Sequence, residues 1–280
     1  MTFLKSIALA FSTFSIIPMP RVDWNEKNMR YMMAAFPLVG VFIGILYEFW
    51  FIFGIKILYI WQKPISFQIL AFGFLLIPIL VTGGIHIDGF LDTSDAILSH
   101  ASREKKFEIL KDSHVGAFAV LSCVIYFFAY FVFSCEFYKI FYSNDFFGFS
   151  ENNVNFFQKF VDSSYVALIP VLSRLLSAFA VAAFPIAKSS GLVYTFANAS
   201  SKKFTAIWCA SCFFLIFALF VFFKDLSGII VIVSSFFVFI AYFFIAKRNF
   251  GGITGDTAGA FLQVCEIFAL AGFVIFKEIF

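Results

Sequence analysis

The feature that most constrains this chain is its succession of apolar stretches, each long enough to cross a bilayer. Seven can be read, at about 34–60, 65–81, 115–133, 165–185, 204–223, 226–246 and 258–276. A hydrocarbon core of about 30 Å needs about 20 helical residues, which these runs supply. A membrane β-barrel would instead show short segments of alternating polarity, and none is visible. With 62% hydrophobic and only 13% charged residues, the 280-residue chain carries far more apolar surface than a soluble domain can bury. The expected fold is all-α: a polytopic integral membrane helical bundle of about seven transmembrane helices. Residues 1–280 read as one membrane-embedded catalytic domain, with 83–114 as its active-site loop. The 47 phenylalanines exceed what packing requires and are read as drift in base composition.

Residues 1–20 hold Lys5 and a short apolar run closed by Pro18-Met-Pro20. Prolines stand where a signal peptide would carry small residues, and a basic stretch follows, so the expectation is a retained interfacial or re-entrant helix. Lys and Arg then orient the bundle. The N-terminal segment and the loops at 83–114, 188–203 and 247–256 carry 13 of them, against four on the other side (Lys63, Lys159, Lys224, Lys277). The richer side is expected to be cytoplasmic, in a bacterial inner membrane. The net charge of +3 is too small to argue for a nucleic-acid partner, and none is expected. Cys209-Ala-Ser-Cys212 has a metal or redox spacing, but it lies inside an apolar span without a second pair. Neither zinc nor a structural disulfide is expected.

Within this hydrocarbon lies Thr82-Gly-Gly-Ile-His-Ile-Asp88-Gly-Phe-Leu-Asp92-Thr-Ser-Asp95. Aspartates at i, i+4 and i+7 fall within about 60° of one another on a helix. Three carboxylates on one face repel unless a positive charge sits among them. A hard divalent cation such as Mg²⁺ prefers oxygen ligands and shares them readily with phosphates. Asp88, Asp92 and Asp95 are therefore the candidate metal ligands and catalytic groups, with His86 directly before them as a substrate contact. The blander reading, a solvated acidic face on a loop helix, leaves the single-face spacing unexplained.

Further candidates converge on the same side. Arg103, Lys105, Lys106, Lys111 and Asp112 follow in the same loop, and a mixture of acids and bases suits a phosphate substrate. Lys105 and Lys106 are assigned to charge asymmetry alone; Arg103 and Lys111 fit that reading and a substrate contact equally, and are carried as substrate-binding candidates. Asp112 is either a helix cap or a further ligand. Gly251-Gly-Ile-Thr254-Gly-Asp256 opens the seventh span, where glycines admit a close ligand and a helix N-terminus favours an anion. Thr254 and Asp256 are placed in the site, although Asp256 could equally cap the helix. Arg174 lies about 18 Å into the fourth span and Glu266 about 14 Å into the seventh, at 1.5 Å per residue. An arginine so deep either pairs with Glu266 or reaches substrate phosphate.

These blocks resemble the adenosylcobinamide-GDP ribazoletransferase (cobalamin synthase) family. The resemblance runs through Phe36-Pro-Leu-Val-Gly40, the aspartate motif, Ile109-Leu-Lys-Asp-Ser-His-Val-Gly116, Leu172-Ser-Arg174, Pro185, Gly191-Leu192, Gly251-Gly-Ile-Thr-Gly-Asp-Thr-Ala-Gly-Ala260 and Glu266, in order. Departures stand at Ser94, Ala96, His114 and Ala258, and none removes a carboxylate. The resemblance implies that a hydroxyl of α-ribazole, or of its 5′-phosphate, attacks the corrinoid-linked phosphate of adenosylcobinamide-GDP and releases GMP, with Mg²⁺. The composition already sets the lipid bilayer as environment, and a hydrophobic corrin surface or coupling to other cobalamin-pathway enzymes as partners would each give a reason for it. Asp88 and Asp92 would hold metal, Asp95 would take the hydroxyl proton, and Arg103, Lys111 or Arg174 would hold the GMP phosphate. A CDP-alcohol phosphotransferase shares this logic but should show Asp-Gly-x-x-Ala-Arg, where this chain has Phe90-Leu91-Asp92 after its Asp-Gly. A transporter should show related halves, and no internal repeat is visible.

Overall fold

The computed structural model describes the backbone of residues 2–61, 66–142 and 153–280, and the side chains of all of these but 55–61, 141–142 and 153–162. Of the turn expected at Trp61-Gln-Lys-Pro64, residues 62–64 lie outside the described residues, as do Asp145 and Glu151 of the loop expected to run through Asp145, Glu151 and Asp162, and the side chains of Lys56, Lys63, Lys159 and Asp162.

The chain opens with α1 (Thr2–Phe14), followed by two single-turn helices, α2 (Glu26–Met29) and α3 (Met32–Ala35). The long α4 (Pro37–Trp61) comes next, then α5 (Phe67–Thr82), α6 (Ile85–Leu98), the short α7 (Arg103–Ile109) and α8 (Ala117–Tyr142). The second half holds α9 (Asn153–Ala183), α10 (Leu192–Ala199), α11 (Lys202–Phe222), α12 (Leu226–Phe250) and α13 (Gly255–Ile279). Among the described residues no strand forms. Among the described residues six helices (α4, α8, α9, α11, α12 and α13) are long and apolar enough to span a membrane, and α5 with α6, a pair bent by 95°, brings the number to seven if the pair is counted as one broken span. The expected bundle of about seven spans, with a shorter apolar helix at the N-terminus, is therefore what the chain forms.

The bend has a local cause. Gly83 (φ 64°) and Gly84 (φ 78°) both occupy the left-handed region. Two such residues in a row end one helix and re-aim the next, and a side chain at either would be strained. The segment 83–114 thus holds two helices, and α6 packs into the bundle against α8 and α13.

Helices α9 and α13 form the centre, with 67% and 61% of their spans buried, against 22% for α8 and 17% for α11. Helix α8 turns Val120, Leu121, Val124, Ile125 and Phe128 outward, an apolar face suited to lipid. Central packing is close because Gly40 and Gly44 of α4 lie on α9; a Cβ at either would overlap the backbone of Pro170 or Ala167. Small residues one turn apart let membrane helices touch main chain to main chain. In the interior, Arg174 Nη1 lies 2.5 Å from Glu266 Oε1 and donates to the Pro170 carbonyl at 3.0 Å. Tyr126 donates to Gln263 at 2.5 Å, and the Tyr47 and Tyr130 hydroxyls are 3.0 Å apart. Buried polar groups in a bundle are tolerable when they satisfy one another in this way.

Further contacts gather at the two ends of the bundle. At one end, Lys106 Nζ of α7 donates to Asn249 of α12 at 2.7 Å, and Ile186 after α9 bridges Ile253 before α13. At the other, Ser163 of α9 meets Glu48 of α4, and Tyr165 donates to Asp225 at the α11–α12 turn. Helix α1 lies at the first end: the amide of Ile16, just beyond it, donates to the Val81 carbonyl at 2.9 Å, and Ser6 Oγ donates to the Asn28 carbonyl at 2.6 Å.

Candidate active site

The site begins where α6 crosses α13. A Cβ added at Gly89 would stand 2.9 Å from the Asp256 carbonyl oxygen and 3.0 Å from its Cα. One added at Gly259 would stand 3.1 Å from the His86 carbonyl oxygen. The two glycines therefore let the helices meet backbone to backbone, and this contact sets Asp88 beside Asp256. Asp88, Asp92 and Asp95 share α6 as their spacing predicts. Asp92, half-buried, lies within electrostatic reach of Asp88, Asp256 and Asp95. Asp95 sits at the start of α8, its carboxylate filling the space where a Cβ on Gly116 would be.

Asp256 does not cap α13. Thr254 does: its Oγ1 accepts from the Thr257 amide at 3.1 Å, and the Thr257 hydroxyl accepts from the Thr254 amide at 2.8 Å. This reciprocal box satisfies the first turn of the helix. The Asp256 carboxylate accepts from its own amide and from the Thr254 hydroxyl at 3.5 Å, and it lies within electrostatic reach of Asp88 and Lys188. Thr254 is accordingly a structural element of the site.

The cations come from α7 and from the α9–α10 connection. Arg103 packs its guanidinium on Gly251 (φ 77°), in space that a side chain there would occupy. Lys105 is paired with Glu108 at 2.7 Å, which agrees with its assignment to surface charge. Lys111 lies just past α7. Lys188, which by sequence counts only toward charge asymmetry, sits with its Nζ 4.1 Å above the ring of Phe107. Partial burial and the nearby Lys111 hold its ammonium below the usual lysine range, and Asp256 pulls the other way. No local motif marks Lys188. It reaches the site because Ala187 N–H donates to the Ile253 carbonyl at 3.0 Å and Ile253 N–H to the Pro185 carbonyl at 2.8 Å.

Three expected substrate contacts lie elsewhere. His86 is buried, between the rings of Phe14 and Phe36, with its Nε2 unpartnered. Arg174 has Glu266 and the Pro170 carbonyl as partners deep in the bundle, so of its two readings the ion pair is the one formed. Asp112 is exposed and accepts from the His114 amide at 3.0 Å and its ring at 2.7 Å; these contacts hold its carboxyl below the usual range. It does not cap α8, which starts at Ala117, and the groups that act on its charge are His114 and Lys105.

The donor set suits a hard cation: four carboxylates, no sulfur, and like charges on α6 and α13 that repel. Among the described residues, no three His, Cys, Asp or Glu side chains stand close enough together to hold a metal ion by themselves. A metal here would share its coordination with substrate oxygens, an open arrangement of the kind Mg²⁺ adopts with phosphates.

A family model described as cobalamin-5-phosphate synthase matches residues 6–274. The adenosylcobinamide-GDP ribazoletransferase of Lachnoclostridium phytofermentans is 35% identical over 275 residues, covering 98% of this chain and 95% of that protein. That of Clostridium botulinum is 32% identical over 276 residues, covering 97% and 98%. That of Fusobacterium nucleatum is 28% identical over 302 residues, covering 99% of each. No solved structure matches the chain.

Proposed function

The chain belongs to the cobalamin-5-phosphate synthase family, and from that premise we propose that it transfers the adenosylcobinamide phosphate of adenosylcobinamide-GDP to a hydroxyl of α-ribazole or its 5′-phosphate, releasing GMP. The observation that carries this reading is the crossing of α6 and α13, where two glycines set Asp88 against Asp256 beside Asp92. An acidic face bordered by Lys111 and Lys188 suits a diphosphate.

The reaction exchanges one phosphorus–oxygen bond for another. The hydroxyl oxygen bonds to the corrinoid-linked phosphorus, the anhydride bond breaks, and its electron pair leaves on GMP. The hydroxyl proton passes to a carboxylate, and Asp95, set apart from the Asp88–Asp256 contact, is assigned this task. Asp88 and Asp92, with Asp256 in reach, would hold Mg²⁺, which supplies neutralisation of the phosphate charge. Arg103 and Lys111 bind substrate anions from the opposite border. Arg174 and His86 contribute through packing beneath α6. The excess of Lys and Arg at the site end supports a cytoplasmic active site in a bacterial inner membrane.

The test is substrate exchange. Purified protein in liposomes receives adenosylcobinamide-GDP with α-ribazole, or CDP-diacylglycerol with a lipid alcohol, and products are identified by mass. A cobamide product from the first pair alone supports the reading. Product from the lipid pair alone would replace it with a lipid phosphotransferase.

A further inference from the structure

We propose that Lys188, seconded by Lys111, holds the phosphate of the departing nucleotide; this rests on the transfer reaction above. The main chain puts Lys188 there. The bridge between Ile186 and Ile253 ties the α9–α10 connection to the segment that opens α13. Gly252 permits it, since a Cβ at that position would lie 2.8 Å from the Ala187 amide nitrogen. Lys188 follows this clamp on one side and Asp256, fixed by the Thr254 cap, follows it on the other. Their juxtaposition is thus built into the backbone.

The charge of Lys188 is also uncommitted. Lys105 is paired with Glu108, Lys106 donates to Asn249, and Arg103 lies on Gly251. Among the described residues Lys188 has no carboxylate within ion-pair distance; it rests on the ring of Phe107, which packs 5.6 Å from that of Phe250. A cation on an aromatic platform is held without being neutralised. Its charged neighbours are Lys111 and Asp256. It therefore stands on the boundary between the acidic and basic halves of the site. Two neighbouring ammonium groups favour an anion, as the facing aspartates favour a cation. A diphosphate laid across the boundary meets both demands, with its nucleotide end on the lysines. As the anhydride bond breaks, negative charge grows on the GMP oxygen, and a cation at that point acts most strongly in the transition state.

The test uses the full-length enzyme in detergent, with K188Q, K188R and wild type. GMP and guanosine are compared as ligands by calorimetry and as inhibitors of turnover, with KM measured for α-ribazole. K188Q is expected to weaken GMP about tenfold or more, as loss of a charge-assisted hydrogen bond does. Guanosine and α-ribazole should be unaffected, kcat should fall, and K188R should recover part of the loss. A structural role would move all ligands together. Unchanged GMP affinity in K188Q overturns the proposal while leaving the transferase reading intact. Lys188-dependent GMP binding in a wild type that turns over no adenosylcobinamide-GDP would do the reverse.

Discussion

Gly89→Ala tests the helix crossing that builds the site. The added methyl would stand 2.9 Å from the Asp256 carbonyl oxygen and 3.0 Å from its Cα. Nonbonded heavy atoms rest at about 3.5–4.0 Å, so α6 and α13 must part by about 0.5–1 Å. Both partners are backbone, and neither can rotate away. Such overpacking costs about 1–3 kcal/mol. The functional effect should be larger in relative terms, because about 1 Å of misplacement at a reacting centre costs about a hundredfold in rate. Gly89→Ala should therefore lose about tenfold or more in kcat for GMP release and melt earlier in detergent. Gly255→Ala is the control. It lies in the first turn of the same helix as Asp256, its Cβ would have only Val193 Cγ2 at 4.0 Å, and alanine gains up to about 1 kcal/mol in helix propensity. Gly255→Ala should melt at or above the wild-type temperature with its rate retained. A Gly89→Ala protein with wild-type rate and melting would show that the contact does not set the site.

Three further outcomes follow from the same geometry. Arg174→Met leaves Glu266 buried without its cation and should destabilise by about 3–5 kcal/mol, whereas Arg174→Met with Glu266→Met recovers most of it; chemical unfolding in detergent distinguishes the two, and a stable single variant would refute the pairing. Gly252→Ala should break the Ile186–Ile253 bridge and displace Lys188, seen as weaker GMP binding and a lower kcat; unchanged values would separate the bridge from the site. Asp92→Asn removes one of four mutually repelling carboxylates, so its melting temperature should hold or rise while transfer falls by about a hundredfold or more. Full activity with lower stability would make Asp92 structural.

The seven spans and the single-face aspartates were legible because hydropathy and helical period are local properties. Arg174 and Glu266 were legible as one of two readings for a related reason: similar depth in two spans leaves few other partners. What the sequence concealed were contacts between segments far apart in the chain. The bend at Gly83–Gly84 turns a loop segment into a packed helix, which required knowing that both glycines adopt positive φ. His86 adjoins the aspartates in sequence but points into the aromatic layer of Phe14 and Phe36. Asp256 had the position of a cap, yet the Thr254–Thr257 exchange took that role. Lys188 carried no motif, since its place depends on a two-residue bridge formed only when α9 and α13 are assembled. Gly40 and Gly44 did bear a signal, because two glycines one turn apart in an apolar helix mark a surface where another helix can pack closely.

We propose that the Asp88–Asp92–Asp95 face, with Asp256 beside it, catalyses metal-assisted phosphoryl transfer. GMP release by the purified protein in liposomes tests it most directly, with adenosylcobinamide-GDP present, α-ribazole added or withheld, and Mg²⁺ supplied or removed by EDTA. The expected result is release that requires both α-ribazole and Mg²⁺ and is lost in Asp88→Asn. Release that persists undiminished in EDTA, or in Asp88→Asn, would contradict it.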